Sequence, residues 1–585
     1  MDDLITRAVA AIRLLDVQIA PDGSDVAFVT TEAPQAGETE QSEIWLVPAG
    51  GGTARRMTAS GANDGNPRWS PDGRWIAFSS DRRGSGAQQL YLLPRAGGEA
   101  LRITDHPGGI GSFAWSPDGR MLAFLARDEE PEDVQQRRKD RDDAHVADEQ
   151  PRLTGVWVIE LPADPAATET LPAARKVSPD GYHVGGYVDA GFAWAPDSDG
   201  FAIMAGDSPS TNARIRSEMY LLDLNGNLTS LGQFEGITSS PRFSPDGSTL
   251  AFIGADGAIP ARWVLQTLPV TGGTPHVVAP GFAGAFHSFH WLPDGDHLLV
   301  GVETGQQHRF LLADLERGEL RPAATPGDRP GSGAEAFSCS ADGRRWAFAW
   351  ADATSFGDVY VAEQSGATRR LTDLNPWTRE YTWGEQREIT WTAFDGLEIE
   401  GLLILPVGYE EGTRYPLLTH IHGGPAAAWV HTLYADWHNH GQFLAQRGYA
   451  VFMPNPRGST GRGIDFLKAI THSYGEPDWQ DINTGIDALV ARGIADPERL
   501  VVGGWSGGGY LTNWAITHST RFKAAIAGAG PSNWISFLGT ADIRAVFSRY
   551  VGAIEEDPET AWRLSPIRLV NAVSTPTLFL HGEQD

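Results

Sequence analysis

Residues 69–79 read WSPDGRWIAFS, and the fold of the first two thirds of the chain depends on how this stretch is read. Pro71-Asp72-Gly73 is a turn: Pro presets φ, the Asp carboxylate can bond nearby backbone, and Gly takes positive φ. An alternating apolar strand follows it. The same block returns as IAPDGSDVAFV (19–29), WSPDGRMLAFL (115–125), WAPDSDGFAIM (194–204), FSPDGSTLAFI (243–253), WLPDGDHLLVG (291–301) and CSADGRRWAFA (339–349). The turn Asp stands at 22, 72, 118, 197, 246, 294 and 342, in steps of 50, 46, 79, 49, 48 and 48.

Between copies lie second strand-turn-strand pieces, such as IWLVPAGGGTARRMT from Ile44 and LYLLPRAGGEALRIT from Leu90. Two hairpins per period predict one four-stranded propeller blade per copy, and seven copies predict a seven-bladed β-propeller over about residues 15–375. The slot two residues before each Pro holds Trp69, Trp115, Trp194, Phe243 and Trp291, with Ile19 and Cys339 at the ends of the series. These are expected to be blade-core positions. Cys339 accordingly reads as a buried structural thiol, not a nucleophile. The long step contains an insertion, residues 127–153, dense in both charge signs and nearly free of apolar residues. It reads as a solvated excursion from one blade. A sharper reading has it reach a substrate cavity, with Glu149, Asp148 or Arg141 gripping a peptide terminus.

After a polar joint, DLNPWTREYTWGEQ (373–386), the periodicity changes. Strands now alternate with helix-length segments, which predicts a mostly parallel sheet with helices on both faces. The division is placed at 380, with the propeller in 1–380 and the second domain in 381–585. YPLLTHIHGGP (415–425) is a buried strand ending in a Gly-rich turn, DWQDINTGIDALVARG (478–493) an amphipathic helix, and ERLVVGGWSGGGYLTNWAITHSTRF (498–522) strand, sharp turn and helix.

That last stretch holds Gly504-Trp505-Ser506-Gly507-Gly508, a G-x-S-x-G pattern in the context a nucleophile elbow requires. Ser506 Oγ is then expected to stand at the carboxyl edge of the sheet. An oxyanion needs donors. One candidate is the backbone N–H of Gly507, and the other is that of Gly424 in the HGGP turn. His420 and His422 read as loop structure.

Composition bounds the partners. The 585 residues exceed one hydrophobic core. Gly (68) and Pro (38) are plentiful, which favours many turns. A net charge of −28 opposes binding to nucleic acid or anionic lipid. No apolar window suggests a transmembrane helix, and the N-terminus has acids where a signal peptide needs bases. One cysteine fits a reducing cytoplasm, so a cytoplasmic location is expected.

A propeller followed by an α/β-hydrolase domain resembles the prolyl oligopeptidase family of serine peptidases, and within it bacterial acylaminoacyl-peptidase and dipeptidyl-peptidase-like members. The motifs carrying this are HGGP (422–425), NPRGSTGRG (455–463), GEPDWQDI (475–482), GWSGGGY (504–510) and HGEQD (581–585). The resemblance implies a peptidase without metal or organic cofactor, acting on short peptides; many relatives also assemble into homo-oligomers. It maps the acid of a Ser-Asp-His triad onto Asp585. It further implies an S1 pocket, with Tyr510, Trp534 and Phe537 as candidate walls, and Arg457 in the second motif joins them as a substrate-binding candidate.

The fold's chain order is Ser, then Asp, then His, and no histidine follows Asp585. His518 lies at the far end of the helix leaving Ser506 and reads as its cap, and His581 reads as part of a turn. Without a base the serine is a weak nucleophile. A chain ending here would also bare the apolar run 577–580 on a sheet edge. The expectation is that the histidine lies on a short continuation beyond residue 585, with the hydrolase domain lacking its last strand and helix, and that residues 1–585 alone are inactive. Two other readings remain: a catalytically silent peptide-binding protein, and an esterase or amidase acting on small acyl compounds.

Overall fold

The computed structural model of the chain describes residues 2–32, 40–82, 87–142, 151–167, 170–186, 191–236, 239–257, 260, 263–327, 330–436 and 438–583. Seven antiparallel sheets follow one another from Arg13 to Arg370, each built from a contiguous stretch of sequence. They are the seven blades the repeats call for. Blade one comprises Arg13–Ile19, Asp25–Glu32, Gln41–Pro48 and Arg55–Arg56.

The repeat works physically as the sequence suggests. In all seven copies the turn Asp accepts the backbone N–H two residues on, as Arg74 to Asp72 at 3.0 Å and Ser248 to Asp246 at 3.0 Å. The following position has φ between 66° and 75°, including Ser198 (66°), which replaces Gly in the loosest copy.

The tryptophans of the slot do more than fill cores. The indole N–H of Trp69 donates to the Gln18 carbonyl, that of Trp115 to Arg68, that of Trp194 to Ala114 and that of Trp291 to Arg242, at 3.0–3.2 Å. Each acceptor sits one residue before the same slot in the preceding blade. The series therefore staples neighbouring blades as it packs them. Closure between blades seven and one relies on other bonds: Ser338 Oγ accepts the Ile19 N–H at 2.7 Å, and the Pro21 carbonyl accepts that of Ala341 at 2.9 Å. Cys339, half-buried in the slot of blade seven, has its thiol pKa pushed up by burial, as befits an inert structural group.

The second domain is a seven-stranded sheet. In spatial order its strands are Gln386–Thr392, Glu398–Ile404, Ala450–Asn455, Tyr415–Ile421, Ala495–Trp505, Phe522–Gly528 and Thr577–Leu580. The last five are mutually parallel, and the first two pair antiparallel at one edge. Strand Tyr415–Ile421 sits centrally beside Ala495–Trp505, which places both strands' C-terminal turns at one edge, as open α/β sheets do for their sites. At the far edge, Leu578 and Phe579 are 54% and 65% exposed.

The N-terminal helix Asp2–Val9 packs on the joint between domains: Arg7 pairs with Glu380 at 2.6 Å, and the Tyr381 hydroxyl donates to Asp3 at 2.6 Å. Blades also meet the hydrolase domain directly. The Gln306 carbonyl accepts the His431 N–H at 2.9 Å, and Asn212 accepts the Ala545 N–H at 2.8 Å. Among the described residues, no helix is long and apolar enough to cross a membrane.

Candidate active site

Ser506 stands between the strand Ala495–Trp505 and the helix Gly507–His518, with φ 55° and ψ −116°. A non-glycine residue in that region is strained, and the strain is held by its surroundings. The Ser506 N–H donates to the Gly528 carbonyl at 2.9 Å, and the Ser506 carbonyl accepts the Tyr510 N–H at 2.9 Å, starting the helix. The motif glycines let helix and strands touch. A methyl on Gly508 would lie 2.1 Å from the Ile421 carbonyl oxygen, and one on Gly504 2.5 Å from the same oxygen.

The HGGP turn after Ile421 arrives beside this elbow. A methyl on Gly423 would lie 3.5 Å from Ser506 Cβ, and one on Gly507 would lie 3.0 Å from the Gly424 carbonyl oxygen. Gly424 has φ 112°. Among the described residues neither the Gly424 nor the Gly507 N–H has an acceptor. The turn is braced by His422, whose ring nitrogens lie 2.7 Å from the Gly423 carbonyl and 3.0 Å from Ser459 Oγ. His420 is buried against Trp429, and burial holds its ring well below the usual histidine range. His420 thus lies in the strand Tyr415–Ile421 rather than in the loop, while His422 braces the turn.

His518 stacks on Trp514 at 4.0 Å and lies 2.9 Å from the Trp514 carbonyl, so it finishes its own helix. Among the described residues no imidazole hydrogen-bonds to Ser506 Oγ. Asp585 and Glu149, with Asp148, lie outside the described residues. Arg141 is exposed.

Three substrate-binding candidates need correction. Tyr510 is fully buried, its hydroxyl 2.7 Å from the Tyr474 carbonyl and 2.9 Å from that of Leu564. Trp534 is equally buried, against Tyr510 and Phe547. Tyr510 belongs to the core because the elbow helix is buried from Gly507 to Ile516, and Trp534, which opens the helix Trp534–Thr540, packs against it there. Only Phe537 is partly buried. Arg457 is committed elsewhere: its guanidinium bonds Asp481 at 2.7 and 2.8 Å and Asp395 at 2.8 and 3.0 Å. Hydrogen bonding from Arg457 holds the Asp395 carboxyl down to about 2. The group is a loop clamp, not a free cation.

Tyr474 carries no signal that a reading of the sequence could find. A methyl on Gly507 would lie 2.6 Å from the Tyr474 hydroxyl oxygen, and among the described residues that buried hydroxyl has no hydrogen-bond partner. On the other side of the elbow, a cavity of about 620 Å³ reaches Trp505 from Tyr434, His438 and the N-terminal residues Ala8 and Ala11.

Among the described residues, one group has metal-ligand residue types: His287, Glu303 and His308, at the seam with the hydrolase domain. It does not fit a metal well. The Gly333 N–H donates to His308 Nδ1 at 3.0 Å, which leaves the proton of a neutral ring on Nε2 and no lone pair there. Glu303 instead accepts the Thr460 hydroxyl at 2.6 Å.

Comparison with known proteins agrees with this architecture. The pattern of the prolyl oligopeptidase family matches residues 436–585, and that of the Tricorn protease N-terminal β-propeller domain matches residues 39–140. The uncharacterized peptidase YuxL of Bacillus subtilis is 30% identical over 98% of this chain and 90% of its own length. Dipeptidyl-peptidase 5 of Trichophyton tonsurans is 28% identical, over 62% of this chain and 50% of that protein. Among solved structures, Pyrococcus horikoshii acylaminoacyl peptidase superposes with a TM-score of 0.79 at 22% identity, covering 99% of this chain and 88% of that one. A Mycobacterium tuberculosis puromycin-hydrolyzing peptidase gives 0.73 at 21%, covering 99% and 87%. At those identities the superpositions speak for the fold alone. With the near full-length relative, the matched hydrolase segment and the propeller ahead of it, the chain belongs to the prolyl oligopeptidase family.

Proposed function

We propose that the protein is a serine peptidase hydrolysing short peptides, of acylaminoacyl-peptidase or another oligopeptide exopeptidase type. Ser506 attacks the scissile carbonyl, and the Gly507 and Gly424 N–H groups receive the oxyanion. Asp585 orients the histidine that follows it in this fold's chain order, and that histidine takes the serine proton. The observation carrying this reading is the strained Ser506, at φ 55° on a strand-to-helix turn with uncommitted N–H groups beside it. The similarity to named peptidases supports the substrate class, and the propeller excludes folded proteins from the serine. We infer neither metal nor organic cofactor, and a cytoplasmic location.

A second reading, a peptide-binding protein without turnover, is favoured by one observation: Ser506 Oγ has no imidazole partner among the described residues. Fluorophosphonate labelling followed by peptide mapping separates the two. A single adduct on Ser506, lost in Ser506→Ala together with hydrolysis of a blocked peptide amide, supports the peptidase. Peptide capture with neither adduct nor hydrolysis supports the silent binder. Comparing kcat/KM for the peptide amide and a simple ester then tests the esterase alternative.

A further inference from the structure

Between blades three and four, close to the seam with the hydrolase domain, lies a cavity of about 380 Å³. Its charged lining is entirely cationic: Arg127 and Arg214 face it, and no carboxylate does among the described residues. That is unexpected in a chain with 74 acidic residues against 46 basic ones. Other propeller arginines do meet acids, as Arg82 with Asp64 and Arg95 with Asp25. Here, among the described residues, neither guanidinium has an ion-pair or hydrogen-bond partner, and Arg214 Nε is buried without one. A buried donor left without an acceptor costs stability, and the half-buried Arg214 and the exposed Arg127 both offer positive charge to an anion that would meet it.

A third donor completes the set. His183 Nδ1 accepts the Thr154 N–H at 3.1 Å, so the neutral ring carries its proton on Nε2. A methyl on Gly185 would lie 3.2 Å from His183 Nε2 and 3.8 Å from Arg214 Nη1, so the absence of a side chain there keeps these two groups open to each other. Burial, then the charges of Arg214 and Arg127, push the His183 ring down to about 4, so it donates a hydrogen bond without adding charge.

The glycines around the cavity offer little more. The Gly109 N–H goes to the His106 carbonyl, that of Gly111 to Leu125 and that of Gly185 to Met204. Backbone nests that cradle phosphate need free N–H groups. Two guanidinium groups and one imidazole N–H match the oxygens of a carboxylate, the anion that a peptide carries at its C-terminus and on its acidic side chains.

The position suits a peptide. Arg214 ends the helix Thr211–Arg214, in which Asn212 accepts the Ala545 N–H. Helix Arg544–Val551 continues to Tyr550, 6.1 Å ring to ring from Tyr474, whose hydroxyl lies beside Gly507. The link runs through the buried Tyr550 and Tyr474, so it joins the two places by packing.

We propose that this cavity is a carboxylate-binding subsite, in which Arg127, Arg214 and the His183 Nε2–H hold an acidic group of an oligopeptide engaged at Ser506. The inference rests on the peptidase reading for its ligand, but not for its test. Binding is measured by fluorescence anisotropy on the full chain carrying Ser506→Ala, so that turnover cannot intrude. The probes are fluorescein-labelled hexapeptides with a free C-terminus, with a C-terminal amide, and with a C-terminal amide plus a penultimate Glu.

The free carboxylate should bind roughly tenfold or more tighter than the amide, with the advantage shrinking in high salt. Arg127→Ala and Arg214→Ala should remove the advantage while leaving amide binding unchanged, which also reports that they fold. Arg214→Lys should keep part of it. A Glu peptide that binds like the free acid would assign the group to an acidic side chain; one that binds like the amide would assign it to the C-terminus. The proposal is overturned if acid and amide bind alike, if neither binds, or if the advantage survives both arginine variants. Fluorophosphonate labelling of the unmodified serine is scored separately. Labelling without carboxylate discrimination refutes the subsite and leaves the peptidase; discrimination without labelling does the reverse.

Discussion

The Thr460 hydroxyl of the hydrolase domain donates a 2.6 Å hydrogen bond to Glu303 of the sixth blade, and both residues are buried. Burial pushes the Glu303 carboxyl up, but His287, Thr460 and His308 together outweigh it and the net shift is down. Glu303 is therefore a charged acceptor held at the domain seam. Thr460→Val should cost about 1–3 kcal/mol, because the acceptor stays buried with one donor fewer. Calorimetry of the full chain should show the hydrolase and propeller transitions separating, with Thr460→Ser restoring them. A Val variant that unfolds like the parent would show that the bond contributes nothing to docking.

Gly508 tests the elbow without touching the serine. A methyl there would sit 2.1 Å from the Ile421 carbonyl oxygen, and that contact is with backbone, which has no flexible end to move aside. The helix must back away from the strand, carrying Gly507 and Ser506 with it. Gly508→Ala should slow fluorophosphonate labelling at Ser506 by roughly a hundredfold, the scale at which a 1 Å misplacement is felt. An unchanged labelling rate would mean that the elbow does not position the nucleophile.

Arg457 belongs to stability. Asp481 is fully buried and Arg457 nearly so, and removing one partner of such a pair strands a charge. Arg457→Met should destabilise the chain by about 3–5 kcal/mol. Pairing the change with Asp481→Leu should recover much of that loss, since the stranded carboxylate is then gone. A selective rise in KM at unchanged Tm would return Arg457 to the list of substrate contacts.

The features legible in the sequence are those encoded locally. Each Pro-Asp-Gly turn carries its own acceptor and its own positive-φ residue, so seven blades could be counted from the pattern around Asp72 and its equivalents. The elbow is equally local, since strand, strain and helix all lie within a few residues of Ser506. What escaped reading depends on distant partners. Arg457 resembles a substrate cation until Asp395 and Asp481 close on it from two other segments. Tyr510 and Trp534 look like pocket walls because aromatic residues near a nucleophile can face either way, and only the packing around Tyr474 turns them inward. Arg127, His183 and Arg214 come from three separate elements and share no spacing that a sequence reader could notice.

The same packing makes a pH prediction. Asp478 opens the helix Pro477–Ala491 and is almost fully buried. One oxygen accepts the Gly475 N–H at 2.8 Å, the other has no partner among the described residues, and burial pushes the carboxyl up to about 8. An unfolded aspartate titrates near 3.8. Between these values the native state binds the extra proton, so this group's contribution falls as pH rises through the window and levels off above about 8. Other groups act elsewhere. Asp22 and Asp395, both lowered to about 2, add stability that is lost only as pH falls toward that value. His183, near 4, and His290, near 3, give stability that rises with pH and is complete by about 7. The interval from about pH 7 to 9 therefore isolates Asp478 from them. Over it, the Tm of the parent should fall relative to Asp478→Asn, whose amide carries no proton to lose. Parallel curves for the two proteins would mean that Asp478 is already ionised at neutral pH, with its second oxygen hydrated or paired after all.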